Sequence, residues 1–350
     1  MAMAKRQAHP SNSSDDGGSH PLRKALRSRA FASGTETAVL LVSEEVRGRP
    51  GAAWLLKDRN PYAHWCVVDS ARQYRNFATN PTGHWAALLP RGNGDWDVCE
   101  SRDEGRTWTE AKMPERVRWL GVAVDGDGTV LAWSLDSIFR LTEKSWCRIA
   151  RLPDEVARRR FPDNEMIVSV SCAEGGGETL VLVNPFRIYR MAKDRDVLVP
   201  FHDGMQNPAP AVHGIPHLAR VGDSLVVASF DGMYLRRVGD QRWSGISTAR
   251  RSPLATEHIR DVARSPWRPD AWICADARGL REETKDGVTR IWESADAQSG
   301  LIANLAVVGD AIIAGLYRAT VDTAGIVFLP DGQCMPIKSP SLEAVRPPQR

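Results

Sequence analysis

His202, Asp203, His213 and His217 stand in one stretch of the chain. A histidine beside a carboxylate can take up a proton near neutral pH and so act as a general base. Several such groups converging could also hold a metal, but that needs three or four ligands in a fixed geometry. His213 and His217 have the spacing of one helix face, yet Pro208, Pro210 and Pro216 argue against a helix there. The stretch therefore offers His202, Asp203 and His213 as weak catalytic candidates. No metal site and no cofactor is expected. Gly175, Gly176 and Gly177 read as a hairpin turn and not as the strand-to-helix loop that cradles phosphate.

Two arginine clusters carry a second kind of chemistry. Arg158, Arg159 and Arg160 follow Asp154 and Glu155, and Arg250 and Arg251 precede Ser252 and Pro253. Guanidinium groups present a planar fork of donors suited to carboxylate or phosphate. Nucleic-acid binding would call for aromatic side chains interleaved with the charges for base stacking. Only Phe161 and Trp267 lie nearby. An acidic protein surface is the favoured partner, ahead of nucleic acid.

The elements that must position these groups repeat along the chain. Seven apolar runs, at 38–42, 84–89, 129–133, 179–183, 224–229, 271–275 and 311–316, recur about every 40–50 residues. Turns rich in Gly, Asp or Pro separate each run from a further strand on either side. Asp231-Gly232 and Gly239-Asp240 supply the positive φ that tight hairpins need. Four antiparallel strands joined in this way make one propeller blade. The expected fold is thus all-β, a β-propeller of seven four-stranded blades over 34–346, with six or eight left open and residues 29–33 the one candidate for the inner strand that the first repeat lacks. The only helical signal is at 154–160. Residues 1–33 are polar and then basic, too poor in apolar area to offset their ordering entropy, and read as a disordered tail. Residues 347–350 form a short C-terminal tail.

Composition sets further bounds. Forty-six basic and 43 acidic residues leave a net charge of +3, so any attraction to a charged partner must come from local patches. The N-terminus has no apolar core of a secretory signal, and no stretch is apolar enough to span a membrane as a helix. Six cysteines are scattered without a CxxC pair, as small buried hydrophobes would be. A cytoplasmic location without membrane contact is expected.

Residues 101–108 read Ser-Arg-Asp-Glu-Gly-Arg-Thr-Trp. This string matches the Asp-box pattern Ser-x-Asp-x-Gly-x-Thr-Trp, and the chain resembles the bacterial-neuraminidase-repeat, sortilin-like propellers. The resemblance implies a hairpin between the third and fourth strands of a blade. There Asp103 accepts hydrogen bonds from turn amides, Gly105 takes a left-handed conformation, and Trp108 wedges between blades. Ser101, Asp103, Gly105, Thr107 and Trp108 are structural in this view. Other repeats keep only a tryptophan at the comparable place: Trp65, Trp146, Trp243 and Trp292. Sialidase chemistry would need an arginine triad, a Tyr–Glu pair and an acid. Arg187, in Phe-Arg-Ile-Tyr, resembles one sialidase motif, but Tyr189 replaces its proline.

The sequence reading is a non-enzymatic interaction module or scaffold of WD40-like or Asp-box build. It takes a protein partner with an acidic patch through Arg158, Arg159, Arg160, Arg250 and Arg251. The alternative is a hydrolase or lyase acting on a glycan-type substrate at the mouth of the central channel, through His202, Asp203 and His213.

Overall fold

A short strand flanked by tight turns satisfies its backbone most directly by pairing with its neighbours in sequence. The computed structural model does this throughout, and its strands form seven four-stranded sheets with antiparallel pairing. The structure describes residues 25–33, 37–46, 49–58, 65–69, 74, 76–80, 82–91, 95–111, 117–143, 145–157, 166–172, 179–184, 187–191, 197–205, 217–221, 224–229, 232–237, 239–245, 259–276, 278–284, 287–294, 301–316 and 323–338.

The first sheet comprises β1 (Ala25–Ser33), β2 (Thr37–Val46), β3 (Arg49–Asp58) and β4 (Cys66–Asp69). The second holds β5 (Asn76–Thr79), β6 (Trp85–Pro90), β7 (Trp96–Ser101) and β8 (Thr109–Ala111). The third holds β9 (Gly121–Val124), β10 (Val130–Trp133), β11 (Ser137–Leu141) and β12 (Trp146–Arg151), followed by the single helical turn α1 (Asp154–Ala157). The fourth is β13 (Met166–Ser171), β14 (Leu180–Asn184), β15 (Arg187–Met191) and β16 (Leu198–Pro200). The fifth is β17 (His217–Val221), β18 (Ser224–Ser229), β19 (Gly232–Arg237) and β20 (Ser244–Gly245). The sixth is β21 (Asp261–Arg264), β22 (Trp272–Ala275), β23 (Gly279–Glu283) and β24 (Val288–Glu293). The seventh is β25 (Ile302–Val308), β26 (Ala311–Leu316), β27 (Gly325–Phe328) and β28 (Cys334–Ile337).

The fold is an all-β propeller, and the expected blade count is corrected. The span 34–346 contains six complete four-stranded blades, not seven. The remaining sheet takes its innermost strand, β1, from the segment read as a disordered tail. The reason is cooperative. Ala25–Ser33 has only a mixed polar pattern of its own, but β2 offers it nine consecutive backbone partners, from Ala25 opposite Glu45 to Ser33 opposite Thr37. β1 also lies against β25 and β26, so it closes the ring that begins with β5 and runs through β9, β13, β17, β21 and β25. Closure leaves only short inner edges, protected around the central axis. Of the helix expected over 154–160, the described residues form α1, which buries Val156, and 158–160 lie outside the described residues.

A core cluster fills each gap between neighbouring sheets. Leu88 and Val98 meet Trp119 and Val130 between the second and third; Leu131 and Trp133 meet Ile167 and Val181 between the third and fourth. Leu40 and Val42 join Ile312, Ile313 and Phe328 where the ring closes. The tryptophans before or at the outer strands act as wedges. Trp146 Nε1 donates to Ala111 O of the preceding sheet at 3.4 Å, and Trp243 Nε1 to Phe201 O at 2.7 Å. Such a ring contributes apolar area while its N–H finds a partner across the gap.

The sixth sheet buries charge. Asp276, wholly inaccessible, accepts from Arg281 at 3.0 Å, from Arg290 at 2.8 Å and from the amides of Arg278 and Gly279. Arg281 turns its other face to Glu283 at 2.8 Å. Burial pushes the Asp276 carboxyl up, but the Arg290 hydrogen bonds, the Arg278 amide and the two guanidinium charges outweigh it and hold the group below the usual carboxylate range. Among the described residues no helix is long and apolar enough to cross a membrane.

Candidate functional site

Antiparallel pairing puts the first and third turns of the second and third sheets on one face of the ring and the opposite strand ends on the other. A groove of about 920 Å³ lies on the first of these faces, between the second and third sheets. Its wall is made of the β5–β6 turn, the end of β7, the start of β8, the β9–β10 turn and the β11–β12 turn.

The β5–β6 turn is organised by Asn80. Its Oδ1 accepts from Thr82 N at 3.0 Å, Thr82 Oγ1 at 2.9 Å and His84 N at 3.0 Å. Its Nδ2 donates to Asp125 O at 3.0 Å, joining the two sheets. This fixes His84, whose side chain is 8% exposed and whose Nε2 lies 2.9 Å from Glu100 Oε2. The hydrogen bond from His84 is the main reason that the Glu100 carboxyl sits below its usual range, against the opposing push of burial. An ionised carboxylate only accepts, so Nε2 carries a proton and donates to Glu100. Among the described residues Nδ1 takes no hydrogen bond. It faces Gly128, where a Cβ would stand 3.0 Å away.

The turn over 101–108 forms the neighbouring wall. Ser101 Oγ donates to Asp103 Oδ1 and accepts from Gly105 N, both at 2.8 Å. Asp103 also accepts from Thr107 N at 2.8 Å and from Thr107 Oγ1 at 2.7 Å. These bonds, led by the Thr107 amide, hold the Asp103 carboxyl at about 2. Glu104 adopts φ 57° and Gly105 φ 85°. Trp108 packs on Tyr74 with ring centroids 5.5 Å apart, beside a cluster that joins the first and second sheets. Ser101, Asp103, Gly105, Thr107 and Trp108 thus run from the end of β7 through its hairpin to β8, and the turn delivers Arg102 to the groove wall, 3.7 Å from Glu100.

Across the groove, the β9–β10 turn contributes a carboxylate pair. Asp125 Oδ1 and Asp127 Oδ1 both accept from Thr129 N, at 2.7 and 3.0 Å. Burial, followed by the hydrogen bond to Asp127, raises the Asp125 carboxyl to about 6. The hydrogen bond from Asp125 lowers Asp127 to about 2, with help from Thr129 and from the charge of Arg140. Glu110, Glu143, Thr109, Thr142 and Ser145 complete the polar lining.

The candidates from sequence lie elsewhere. His202 rests edge-on against Tyr189, its Nδ1 3.3 Å from Ile188 O, and Asp203 is exposed, with its carbonyl accepting from Trp243 N at 2.9 Å. His213 lies outside the described residues, as do Arg158, Arg159, Arg160, Arg250 and Arg251. Among the described residues no group of three or more His, Cys, Asp or Glu side chains could hold a metal. Sequence reasoning missed His84, Glu100, Asp125 and Asp127. The available signals were two turns, Asn80-Pro81-Thr82-Gly83 and Asp125-Gly126-Asp127-Gly128, each rich in side chains that bond their own backbone.

No family model matches the chain, and no curated protein matches it. Solved structures share its architecture. YCF48 from Cyanidioschyzon merolae superposes with a TM-score of 0.59 at 12% identity, covering 89% of this chain and 97% of that one. YCF48 bound to D1 peptide gives 0.54 at 10% identity over 84% and 95%. The Cps50 (Swd1) β-propeller domain of Myceliophteria thermophila gives 0.57 at 10% identity over 89% and 99%. At such identities the similarity establishes the class, a β-propeller, and nothing finer.

Proposed function

We propose that this propeller is a non-enzymatic interaction module that takes a protein partner on its turns and loops. The observation that carries the reading is the open, polar groove between the second and third sheets, built from turns on a closed ring. Rigid sheets position such turns without moving with them, which is where binding surfaces concentrate. A related architecture bound to a peptide, YCF48 with D1 peptide, supports the same reading by analogy of fold.

In sequence Arg158, Arg159 and Arg160 follow the third sheet and Arg250 and Arg251 follow the fifth, and an acidic partner patch is the complementary surface. Affinity capture of the tagged protein from its native cells, after nuclease treatment, tests this beside the Arg158/Arg159/Arg160→Glu variant. A stoichiometric protein lost in the variant supports the reading. Capture of no protein by either form, or of the same protein by both, defeats the arginine-face assignment.

A further inference from the structure

We infer that Asp125 and Asp127 form a proton-sensitive latch between the second and third sheets. The latch holds the β9–β10 turn against the β5–β6 turn while the pair shares a proton, and loosens when both groups are charged. It belongs to the fold itself and stands whatever partner the propeller takes. Its geometry is a competition for one donor. Asp125 Oδ1 and Asp127 Oδ1 lie 2.7 and 3.0 Å from Thr129 N, so a single N–H serves two carboxyl oxygens. Thr129 Oγ1 adds a second bond to Asp127 alone, at 2.8 Å. Two ionised carboxylates held this close repel, and a proton between them replaces the repulsion with a hydrogen bond. Asp125, half-buried, keeps that proton up to about pH 6, whereas the exposed Asp127 is lowered to about 2.

The same residue anchors the seam. Asp125 O accepts from Gly128 N at 3.1 Å within its own turn and from Asn80 Nδ2 at 3.0 Å across the gap. Asn80 Oδ1 in turn holds Thr82 and the His84 amide. Repulsion between the side chains therefore strains the turn whose carbonyl receives the bond between sheets. Farther along β9, Val122 N donates to Asn76 Oδ1 at 3.2 Å, a second bond between the sheets that the acid pair does not touch. The turn can loosen while this one holds. Charged and titratable groups face the pair from several elements. His84 Nδ1 lies against Gly128, and Glu100 of β7 is its partner. Arg140 of β11 favours the ionised form of Asp127. The Cys172 thiol, just after β13, is pushed up to about 12 by burial and then by the two aspartates, so it stays neutral. Glu143, Glu110 and Arg102 line the same groove. Histidine also has its ordinary range near neutrality, which makes His84 the necessary control.

The test is amide hydrogen exchange of the full chain by NMR from pH 4 to 7.5, read as protection factors. The folded value of Asp125, about 6, is above the ordinary 3.8. Its support of the closed turn is thus complete below about pH 4 and is lost as pH rises through 6. Protection of the Thr129 amide should fall on the order of a hundredfold over that interval, while Val122 does not follow it. Asp125→Asn cannot ionise, and its amide can donate to Asp127, so protection at Thr129 should become independent of pH. Asp127→Asn removes the like charge and should make the fall smaller without abolishing it. His84→Gln should leave the fall in place. A flat profile at Thr129 in the wild type, or an equal fall at Val122, overturns the proposal. So does a fall that persists in Asp125→Asn or vanishes in His84→Gln. Should Asp125→Asn fail to fold, an unchanged fall in Asp127→Asn overturns it instead.

Discussion

Three alanine substitutions separate what Gly105 does through its backbone from what it does through space. Gly239 has φ 93° and nothing within 4 Å of a new Cβ, so Gly239→Ala reports the left-handed backbone alone, about 1–2 kcal/mol. Gly121 has ordinary strand geometry, but a Cβ there would lie 2.1 Å from Trp133 Cζ2, the residue directly across the β9–β10 ladder. Gly121→Ala therefore reports overpacking alone, about 1–3 kcal/mol. Gly105 combines both, with φ 85° and a Cβ 2.3 Å from Trp85 Cζ3 and 3.0 Å from Val68 Cγ1. Trp85 is wholly buried and set edge-on to Phe77 at 5.4 Å, so it has little room to yield. Gly105→Ala is expected to cost about 2–5 kcal/mol, close to the sum of the other two. Urea unfolding read by tryptophan fluorescence measures all three, with slopes checked for constancy. A loss at Gly105 no larger than that at Gly239 would refute the steric half of the argument.

Further expectations concern charge. Asp103 has a depressed folded pKa, so its contribution to stability is present above about pH 4 and is lost as pH falls toward 2. The gap in urea midpoint between wild type and Asp103→Asn should close over that interval; a gap independent of pH would count against it. Asp276→Ala removes the carboxylate that meets both Arg281 and Arg290 and should cost about 3–5 kcal/mol. Arg290→Ala, which leaves Asp276 with Arg281 and two amides, should cost clearly less in the same assay, and equal losses would contradict the network described. Carboxyl NMR should show a group near pH 6 from Asp125. Asp127→Asn should lower that value while leaving it above the usual range, because burial is its first cause; an unmoved titration would exclude coupling between the two groups.

Much of the fold is written in local chemistry. Each of the seven apolar runs read from sequence falls in the second strand of a sheet or overlaps it by all but its first residue, since alternating turns and short apolar runs leave few other pairings. The turn over 101–107 was also legible, because Ser101, Asp103, Gly105 and Thr107 bond within one hairpin. Trp146 and Trp243 announced their wedge positions by recurring near the same outer strand. These features depend on neighbours a few residues apart, which spacing records.

The tertiary structure alone decided the rest. Ala25–Ser33 becomes a strand because β2 and the last sheet offer it partners, and its own pattern does not reveal them. His84, Glu100 and Asp127 come from three different strand ends or turns and meet only when adjacent sheets pack side by side in the ring. Asn80 and Asp125 are 45 positions apart, yet one hydrogen bond joins them. Turn residues record the conformation of their own turn. Which two turns face one another across a groove is set by the twist and closure of the whole ring, and no local spacing encodes that.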